Sequence, residues 1–195
     1  ATHFDNPFMA GRKTGSIGKP LDIMDVKVLD EEGREVKAGQ PGEFAIKGPS
    51  LLKGYYKSPD QFEACFKNGY FLTGDIGYVD ENGIFYYADR KKDLIIKGGV
   101  NIVPAQIDDC LLTHECVQDV ATVGKPDMFL GEVIKSYVVL KDSQTVEAKE
   151  LKLHCRKFLG DFKTPTEIEF VQELPKGPSG KILRRKLREK EFSKL

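Results

Sequence analysis

A block of charge interrupts the middle of this chain. Residues 89–93 are all charged; they follow an aromatic run that ends at Tyr87 and precede a short apolar run that closes in the pair Gly98 and Gly99. A sheet interior cannot hold five such head groups without removing each from water, so the block is expected at the surface between two separately packed cores. The sequence therefore predicts a junction here, and a candidate hinge. The alternative, from the block alone, is an ordinary solvated turn.

The balance of charge excludes several classes of partner. Lys and Arg number 30 and Asp and Glu number 30, so the formal net charge is zero and no overall field draws the chain to nucleic acid or to an anionic membrane. No apolar run approaches the roughly 20 residues that span a bilayer. The four cysteines lack CxxC spacing and paired histidines, which argues against a zinc site and fits a reducing compartment. We expect a soluble globular protein with no metal ligands among these residues.

The first half is predicted to be mostly antiparallel β-structure, either a small barrel or a curled sheet. Its strand candidates are short, aromatic or β-branched segments, at residues 43–47, 70–73, 76–79 and 84–87. Asn82 and Gly83 favour a tight hairpin before the last of them, because both residues tolerate positive φ. Gly74 and Asp75 predict another tight turn, between the second and third segments.

Asp75 is the first candidate site residue. A carboxylate that projects from a turn between two apolar strands can accept hydrogen bonds from two vicinal hydroxyls, as a ribose presents them. The alternative is an aspartate that only caps its own turn.

The second half has a different periodicity, which predicts a compact α+β unit with helices packed on a small sheet. The pattern favours helices at residues 104–112 and 147–159, the second ended by Gly160, and strands at residues 94–96, 117–123, 133–140 and 168–171.

The tail carries a second candidate, Lys181. Gly177 and Gly180 predict a mobile loop around it, so that its ammonium group could swing into an anionic site built elsewhere. The helix that follows is basic, but Glu189 and Glu191 interrupt the charge and no aromatic residues are interleaved, which does not favour nucleic-acid binding. A solvated, partly amphipathic end helix is expected.

Taken together, six spaced motifs resemble the adenylate-forming superfamily, which includes acyl-CoA synthetases, adenylation domains and luciferases. These motifs lie at residues 15–20, at 42–44 with 54–56, at 70–75, at 89–99, at 124–127 with 131–132, and at 175–181. Each is weak alone, but the six follow the family order and cover nearly the whole chain from Gly15 onward.

The resemblance implies a domain organisation and roles for the candidate residues. Residues 1–89 would form a distorted antiparallel β-barrel, the last subdomain of a large N-terminal domain, and residues 90–195 would form a small mobile C-terminal α+β domain. Asp75 and Arg90 would hold the ribose hydroxyls of ATP or of the acyl-adenylate. Lys181 would bridge the carboxylate and the α-phosphate during adenylation. Lys92 would be the hinge.

The resemblance also implies a two-step reaction. A carboxylate attacks the α-phosphate of ATP to give acyl-AMP and pyrophosphate, and the thiol of CoA then attacks the activated carbonyl. Between the steps the small domain would rotate, withdrawing Lys181 and bringing forward Gly98 and Gly99, whose small size leaves a passage for the pantetheine arm. The phosphate loop, the Mg²⁺ contacts and the acyl pocket are expected upstream of residue 1, so the chain alone should not turn over substrate.

Several alternatives stay open at this point. The acid is expected to be fatty or otherwise hydrophobic, but the acceptor could be a carrier protein or oxygen instead of CoA. A non-catalytic module whose basic tail binds nucleic acid or a partner is a third possibility. Cytoplasm is the expected location; Ser193, Lys194 and Leu195 would be a peroxisomal signal if Leu195 were the natural terminus.

Overall fold

Contacts within the chain divide it into two compact units, Ala1–Lys92 and Asp93–Leu195. The structure is a computed structural model that describes residues 3–4 and 13–193. The division falls after Lys92, two residues beyond the end of a strand of the first unit at Arg90.

The first unit is built on a curled antiparallel sheet. The described strands are β1 (His3–Phe4), β2 (Lys19–Pro20), β3 (Asp25–Leu29), β4 (Gly42–Lys47), β5 (Phe66–Lys67), β6 (Tyr70–Val79) and β7 (Phe85–Arg90), with a short helix α1 (Pro59–Glu63) before β5. The order is β3-β4-β6-β5, and β7 also pairs with β6, while β1 and β2 form a separate pair. Because β6 is long, β5 pairs with its first residues and β7 with its last, so the sheet curls around it.

The hairpin predicted at Asn82 and Gly83 is confirmed. Gly83 N donates to Asp80 O at 2.9 Å, and Asp80 N donates to Ile84 O at 2.9 Å. The strand that follows is longer than predicted and ends at Arg90.

The turn predicted at Gly74 and Asp75 is wrong, because β6 runs through both residues without a break. Ala45 of β4 pairs with Leu72 and Glu43 pairs with Ile76, so residues 73–75 lie opposite a single residue of β4. Gly74 has φ +72°, a conformation that bulges the strand here instead of ending it.

The core of the first unit is aromatic at its centre. Phe44 and Phe85 are 4% and 5% exposed, and their rings meet edge to face with centroids 5.8 Å apart. Val28 completes this buried cluster, which lies beside the bulge and fixes the strands around it.

The second unit is an α+β domain, as predicted. A 3₁₀ turn (Lys91–Asp93) leads into strands β8 (Ile95–Lys97), β9 (Val100–Ile102), β10 (Val117–Asp127), β11 (Gly131–Leu140) and β12 (Glu167–Phe170) and helices α2 (Pro104–Leu112), α3 (Ala148–Leu159) and α4 (Arg184–Phe192). The sheet order is β10-β11-β8-β9, with β12 parallel to β11 and the other pairs antiparallel. The bounds of α2 match the prediction, since Pro104 starts the helix and its apolar residues keep helical spacing.

Two apolar clusters cover the two faces of this sheet. The first includes Ile134 and Val138 of β11 together with residues of α2 and α3. Tyr137 of β11 has its side chain on the opposite face of the sheet and belongs to the second cluster, together with Leu174 and Leu187. Alternation along the central strand therefore fixes which helices pack on which face.

None of the helices in the described ranges is long and apolar enough to cross a membrane. Ser193 caps the C-terminus of α4, and the other two residues of the proposed peroxisomal signal, Lys194 and Leu195, lie outside the described residues.

Candidate functional site

The bulge of β6 is held by side-chain contacts to the strand beside it. Thr73 Oγ1 donates to Phe44 O at 2.9 Å and accepts from Asp75 N at 3.1 Å, while Gly74 N donates to Glu43 Oε1 at 2.9 Å. The three residues of the bulge are thus each tied to β4 or to one another. This arrangement fixes the backbone from which the Asp75 carboxylate projects.

Asp75 and Arg90 are brought together across the β6–β7 ladder. The two residues are direct partners in the pairing, and Arg90 Nε lies 2.9 Å from Asp75 Oδ1. The contact is an ion pair without hydrogen-bond geometry, and the buried Oδ1 accepts no hydrogen bond from any residue in the described ranges. The side chains are 27% and 51% exposed, so solvent reaches the remaining atoms of the carboxylate and much of the guanidinium.

Burial raises the pKa of Asp75 above its usual value; the charge of Arg90 lowers it, and the neighbouring Glu43 raises it, with a net upward shift. Glu43 itself is 8% exposed and binds Lys91 Nζ at 2.9 Å through its second oxygen, Oε2. Lys91 therefore offsets the buried charge behind Asp75. Glu43 was not among the residues predicted for the site, although an acidic residue within the otherwise apolar strand β4 indicates a buried ion pair such as the one with Lys91.

Asp75 and Arg90 together offer a partly buried carboxylate acceptor beside an exposed guanidinium donor. Vicinal hydroxyls can donate to the Asp75 carboxylate and accept from the Arg90 guanidinium. The unused buried oxygen Oδ1 is consistent with a site whose hydrogen bonding is completed by a ligand. The residues present therefore fit the diol of a ribose.

The charge block is a junction, but it is not solvated throughout. Asp89 is only 4% exposed and its Oδ1 accepts from Arg90 N at 2.8 Å, so the prediction of a surface position is wrong for Asp89, which is still part of strand β7. Lys91 is held by Glu43, and Lys92, exposed in the 3₁₀ turn, is the last residue of the first unit. The candidate hinge thus follows a residue that is tied to the sheet.

Gly98 and Gly99 form the turn between β8 and β9. Their φ values are +56° and +79°, as in the tight hairpins that join antiparallel strands, and a side chain at either position would strain the backbone. Gly98 N donates to Leu130 O at 2.7 Å, so the turn lies against the start of β11. Both glycines are exposed.

Lys181 lies on the loop predicted from the glycines, and hydrogen bonds of the loop's own backbone close it. Gly177 N donates to Lys181 O at 2.9 Å, Gly180 N donates to Gly177 O at 2.9 Å, and Leu183 N donates to Pro175 O at 2.7 Å. The Lys181 side chain is exposed and, within the residues described, has no hydrogen bond or ion pair. A backbone closed by hydrogen bonds therefore presents a cation that has no counter-charge among the described residues.

The candidate residues fall into three places. Asp75 and Arg90 are in contact in the first unit, while the pair of glycines and Lys181 occupy two separate loops of the second unit. Among residues 3–4 and 13–193, no group of three or more His, Cys, Asp or Glu is placed to hold a metal ion.

Comparison with known families gives the class of protein. A model described as AMP-binding enzyme matches residues 1–56, and a model described as AMP-binding enzyme C-terminal domain matches residues 106–181. Together they cover more than half of the chain in the order expected from the motifs. The chain belongs to the AMP-binding enzymes, the adenylate-forming superfamily.

Similar curated proteins are CoA ligases. A long-chain-fatty-acid–CoA ligase of Bacillus subtilis (strain 168) is 44% identical over 180 residues, which are 92% of this chain and 32% of the relative. A sulfoacetate–CoA ligase of Cupriavidus necator is 46% identical over 189 residues, 96% of this chain and 37% of the relative. The chain spans about a third of the length of the curated relatives it matches.

Solved structures give the same fold. ATP-bound MatB from Rhodopseudomonas palustris is similar with a TM-score of 0.89 and 33% identity, over 95% of this chain and 37% of that one. The o-succinylbenzoate CoA synthetase MenE from Bacillus subtilis, in complex with the acyl-adenylate intermediate, has a TM-score of 0.82 and 38% identity, over 90% of this chain and 36% of that one.

Proposed function

We propose that this chain is the C-terminal part of an ATP-dependent acyl-CoA ligase. The full-length enzyme would convert a carboxylic acid, ATP and CoA into acyl-CoA, AMP and pyrophosphate through an acyl-adenylate. Family membership and the two CoA ligases described above support this activity. The observation that carries the proposal is the Asp75–Arg90 pair of the first unit, which fits a ribose diol.

In this proposal the nucleotide is bound through its ribose by the first unit. Asp75 accepts hydrogen bonds from the hydroxyls, and the Arg90 guanidinium donates to them. Glu43 holds the bulge by accepting from Gly74 N and binding Lys91, so the diol meets a prearranged surface.

The second unit supplies a different group to each step. The Lys181 ammonium lies between the acid carboxylate and the α-phosphate during adenylation, where negative charge concentrates. Rotation at Lys92 then withdraws Lys181 and brings forward the turn of Gly98 and Gly99, which leaves a passage for the thiol arm of CoA. An exposed cation on a closed loop and a turn without side chains suit these two roles.

We propose a fatty or other hydrophobic acid as the substrate. Several of the similar curated proteins are long-chain-fatty-acid–CoA ligases, for example one of Escherichia coli O157:H7 at 42% identity. The sulfoacetate–CoA ligase of Cupriavidus necator shows, at 46% identity, that a polar acid is compatible with a similar C-terminal part. Competition between palmitate and sulfoacetate in the full-length enzyme would decide between these acids.

The test of the mechanism separates the two steps in the full-length enzyme. Lys181→Ala should abolish pyrophosphate release from acid and ATP but leave thioester formation from supplied acyl-adenylate largely intact. Lys186→Ala, an exposed lysine of the following helix, is the matched control and should leave both steps unchanged. Equal loss of both steps in Lys181→Ala would refute the role of Lys181.

The proposed hinge has its own test. Lys92→Pro fixes φ at the junction, so it should spare adenylation and block thioester formation. Normal thioester formation in this variant would rule out rotation at Lys92.

A second candidate keeps the adenylation but changes the acceptor. An amide bond synthetase, McbA from Marinactinospora thermotolerans, has a TM-score of 0.82 and 31% identity, over 90% of this chain and 36% of that one. Preformed acyl-adenylate should therefore be offered separately with CoA, an amine, holo carrier protein and oxygen. Turnover with CoA alone supports the ligase. A full-length protein that forms no adenylate, and whose binding to DNA depends on salt, would favour a binding module instead.

A further inference from the structure

Helix α4, which follows the Lys181 loop, is attached to the second unit mainly by charge. Its inward stripe consists of Arg184, Leu187, Arg188 and Glu191, spaced as one face of a helix. Leu187 packs in the second apolar cluster at 7% exposure. The other three residues of this stripe are ionic, so burial of apolar surface alone does not account for the position of α4.

Each ionic residue of the stripe meets a buried partner of opposite charge. Arg184 binds Asp108 of α2, and Arg188 binds Glu132 of β11. The two carboxylates are 7% and 9% exposed, against 24% and 27% for the arginines. Arg188 also donates to the backbone of Leu94 at 3.2 Å. Both arginines therefore reach inward to nearly desolvated acceptors.

The third ionic residue, Glu191, enters a larger network. It is 2% exposed, binds Lys135 Nζ at 3.1 Å and accepts from the Tyr137 hydroxyl. Lys135, 1% exposed, also binds Glu167 at 2.8 Å and Glu169 at 2.7 Å, so its three donors reach three carboxylates.

The Lys181 loop is held at one end by the second apolar cluster and at the other by helix α4. It begins after Leu174, which is 4% exposed in the same cluster as Leu187, and it ends at Leu183, directly before Arg184. The bond from Leu183 N to Pro175 O joins the two ends. A shift of α4 would therefore move the whole base of the loop.

Ionic contacts of this kind specify the register of a helix. A step of one residue turns a helix by about 100° and would separate all three charged residues from their partners, each of which is too buried to be solvated instead. An apolar stripe could adapt to such a shift by repacking.

We propose that Arg184, Arg188 and Glu191 are positioning residues, which hold α4 in a single register and so fix the loop that presents Lys181. The consequence for catalysis rests on the proposed role of Lys181, whereas the effect on the loop does not.

The first experiment measures the loop directly. Arg184→Gln removes one charged contact, and Arg185→Gln, next to it but 82% exposed, is the matched control. Amide hydrogen exchange of the full-length protein should become at least about tenfold faster at Gly177, Gly180 and Leu183 in Arg184→Gln, and should stay as in the wild type in the control. Equal exchange in the two variants overturns the proposal, and this measurement does not depend on activity.

The second experiment compares the two half-reactions at a temperature where circular dichroism shows both variants folded. Arg184→Gln should lower the kcat of adenylation by about tenfold or more, and leave transfer from supplied acyl-adenylate within about twofold. Arg184→Lys should restore part of the loss. Equal loss in both half-reactions, or none, would overturn positioning of Lys181. If Lys181→Ala itself adenylates normally, the proposed function fails while the exchange result still stands.

Discussion

Lys135 allows a sharp test of how the buried ionic network contributes to stability. Burial on its own lowers the pKa of Lys135, but the hydrogen bonds that Lys135 donates to Glu167, Glu169 and Glu191 raise it above its usual value, so the side chain stays protonated. In Lys135→Met, Glu167 keeps its ion pair with Lys125, and Glu169 keeps its ion pair with Lys190. Glu191, however, stays buried after losing Lys135.

The loss of unfolding free energy expected for Lys135→Met follows from the burial of its partner Glu191. Removing one partner of a buried ion pair costs about 3 to 5 kcal/mol of unfolding free energy, since the other charge stays desolvated. Lys190→Met removes a lysine that binds Glu169 at 2.9 Å but is 49% exposed, and should cost at most about 1 kcal/mol. The same network thus supplies a control that differs mainly in exposure.

A double variant checks the reasoning. Glu191→Gln alone should cost less than Lys135→Met, because Lys135 keeps Glu167 and Glu169 and the amide oxygen can still accept from Tyr137. Lys135→Met combined with Glu191→Gln should be about 2 kcal/mol more stable than Lys135→Met alone, since the buried charge of Glu191, which has lost Lys135, is then absent.

The assay has to isolate the second unit. The chain has no tryptophan, so urea unfolding is followed by far-ultraviolet circular dichroism, with amide exchange along β11 reporting on the second unit. The contribution of the buried charges would be refuted if the double variant lost as much unfolding free energy as its two single variants together. It would also be refuted if Lys135→Met lost no more than Lys190→Met.

Three further predictions concern single sites. Burial raises the pKa of Asp108 to about 6 from a usual 3.8, so Asp108 loses its proton at a lower pH in the unfolded chain than in the folded one. The free energy of unfolding should therefore fall as the pH rises from about 4 to about 6. Asp108→Asn should remove this dependence of the urea midpoint on pH. Gly77→Ala places a methyl group 2.2 Å from Phe44 Cζ and should cost about 1 to 3 kcal/mol in urea unfolding, whereas Gly54→Ala meets nothing within 4 Å and should be near neutral. Gly99→Ala meets no atoms but holds φ +79°, so calorimetry should show a loss of about 1 to 2 kcal/mol.

The second unit could be predicted from sequence because its signals are local. Pro104 starts α2, Gly160 ends α3, and apolar periodicity marks the segments between. The α+β class follows from the order of these elements. Even β10, whose end was predicted at Val123 and lies at Asp127, was found in the right place.

The β6 bulge could not be predicted in the same way. A glycine with positive φ serves a turn or a bulge equally well, and the choice is made by pairing with β4, about thirty residues earlier in the chain. The ion pair of Asp75 and Arg90 depends on that choice, because an uninterrupted β6 sets them opposite each other. The sequence therefore indicated Asp75 by its position between two apolar strands and Arg90 through the resemblance, while their contact required the register.

Helix α4 shows the physical limit most clearly. The sequence predicted a solvated, partly amphipathic end helix because charged residues dominate it, and a periodicity measured on apolar residues cannot detect that arginine and glutamate line the inward face beside Leu187. The partners that make this stripe an inward face are Asp108 of α2 and Glu132 and Lys135 of β11, which are two other elements. The sequence nevertheless marks these partners, because they are acidic and basic residues within otherwise apolar segments such as β11. A charge that cannot avoid burial must find a counter-charge, and a helix rich in both signs is the partner it can use.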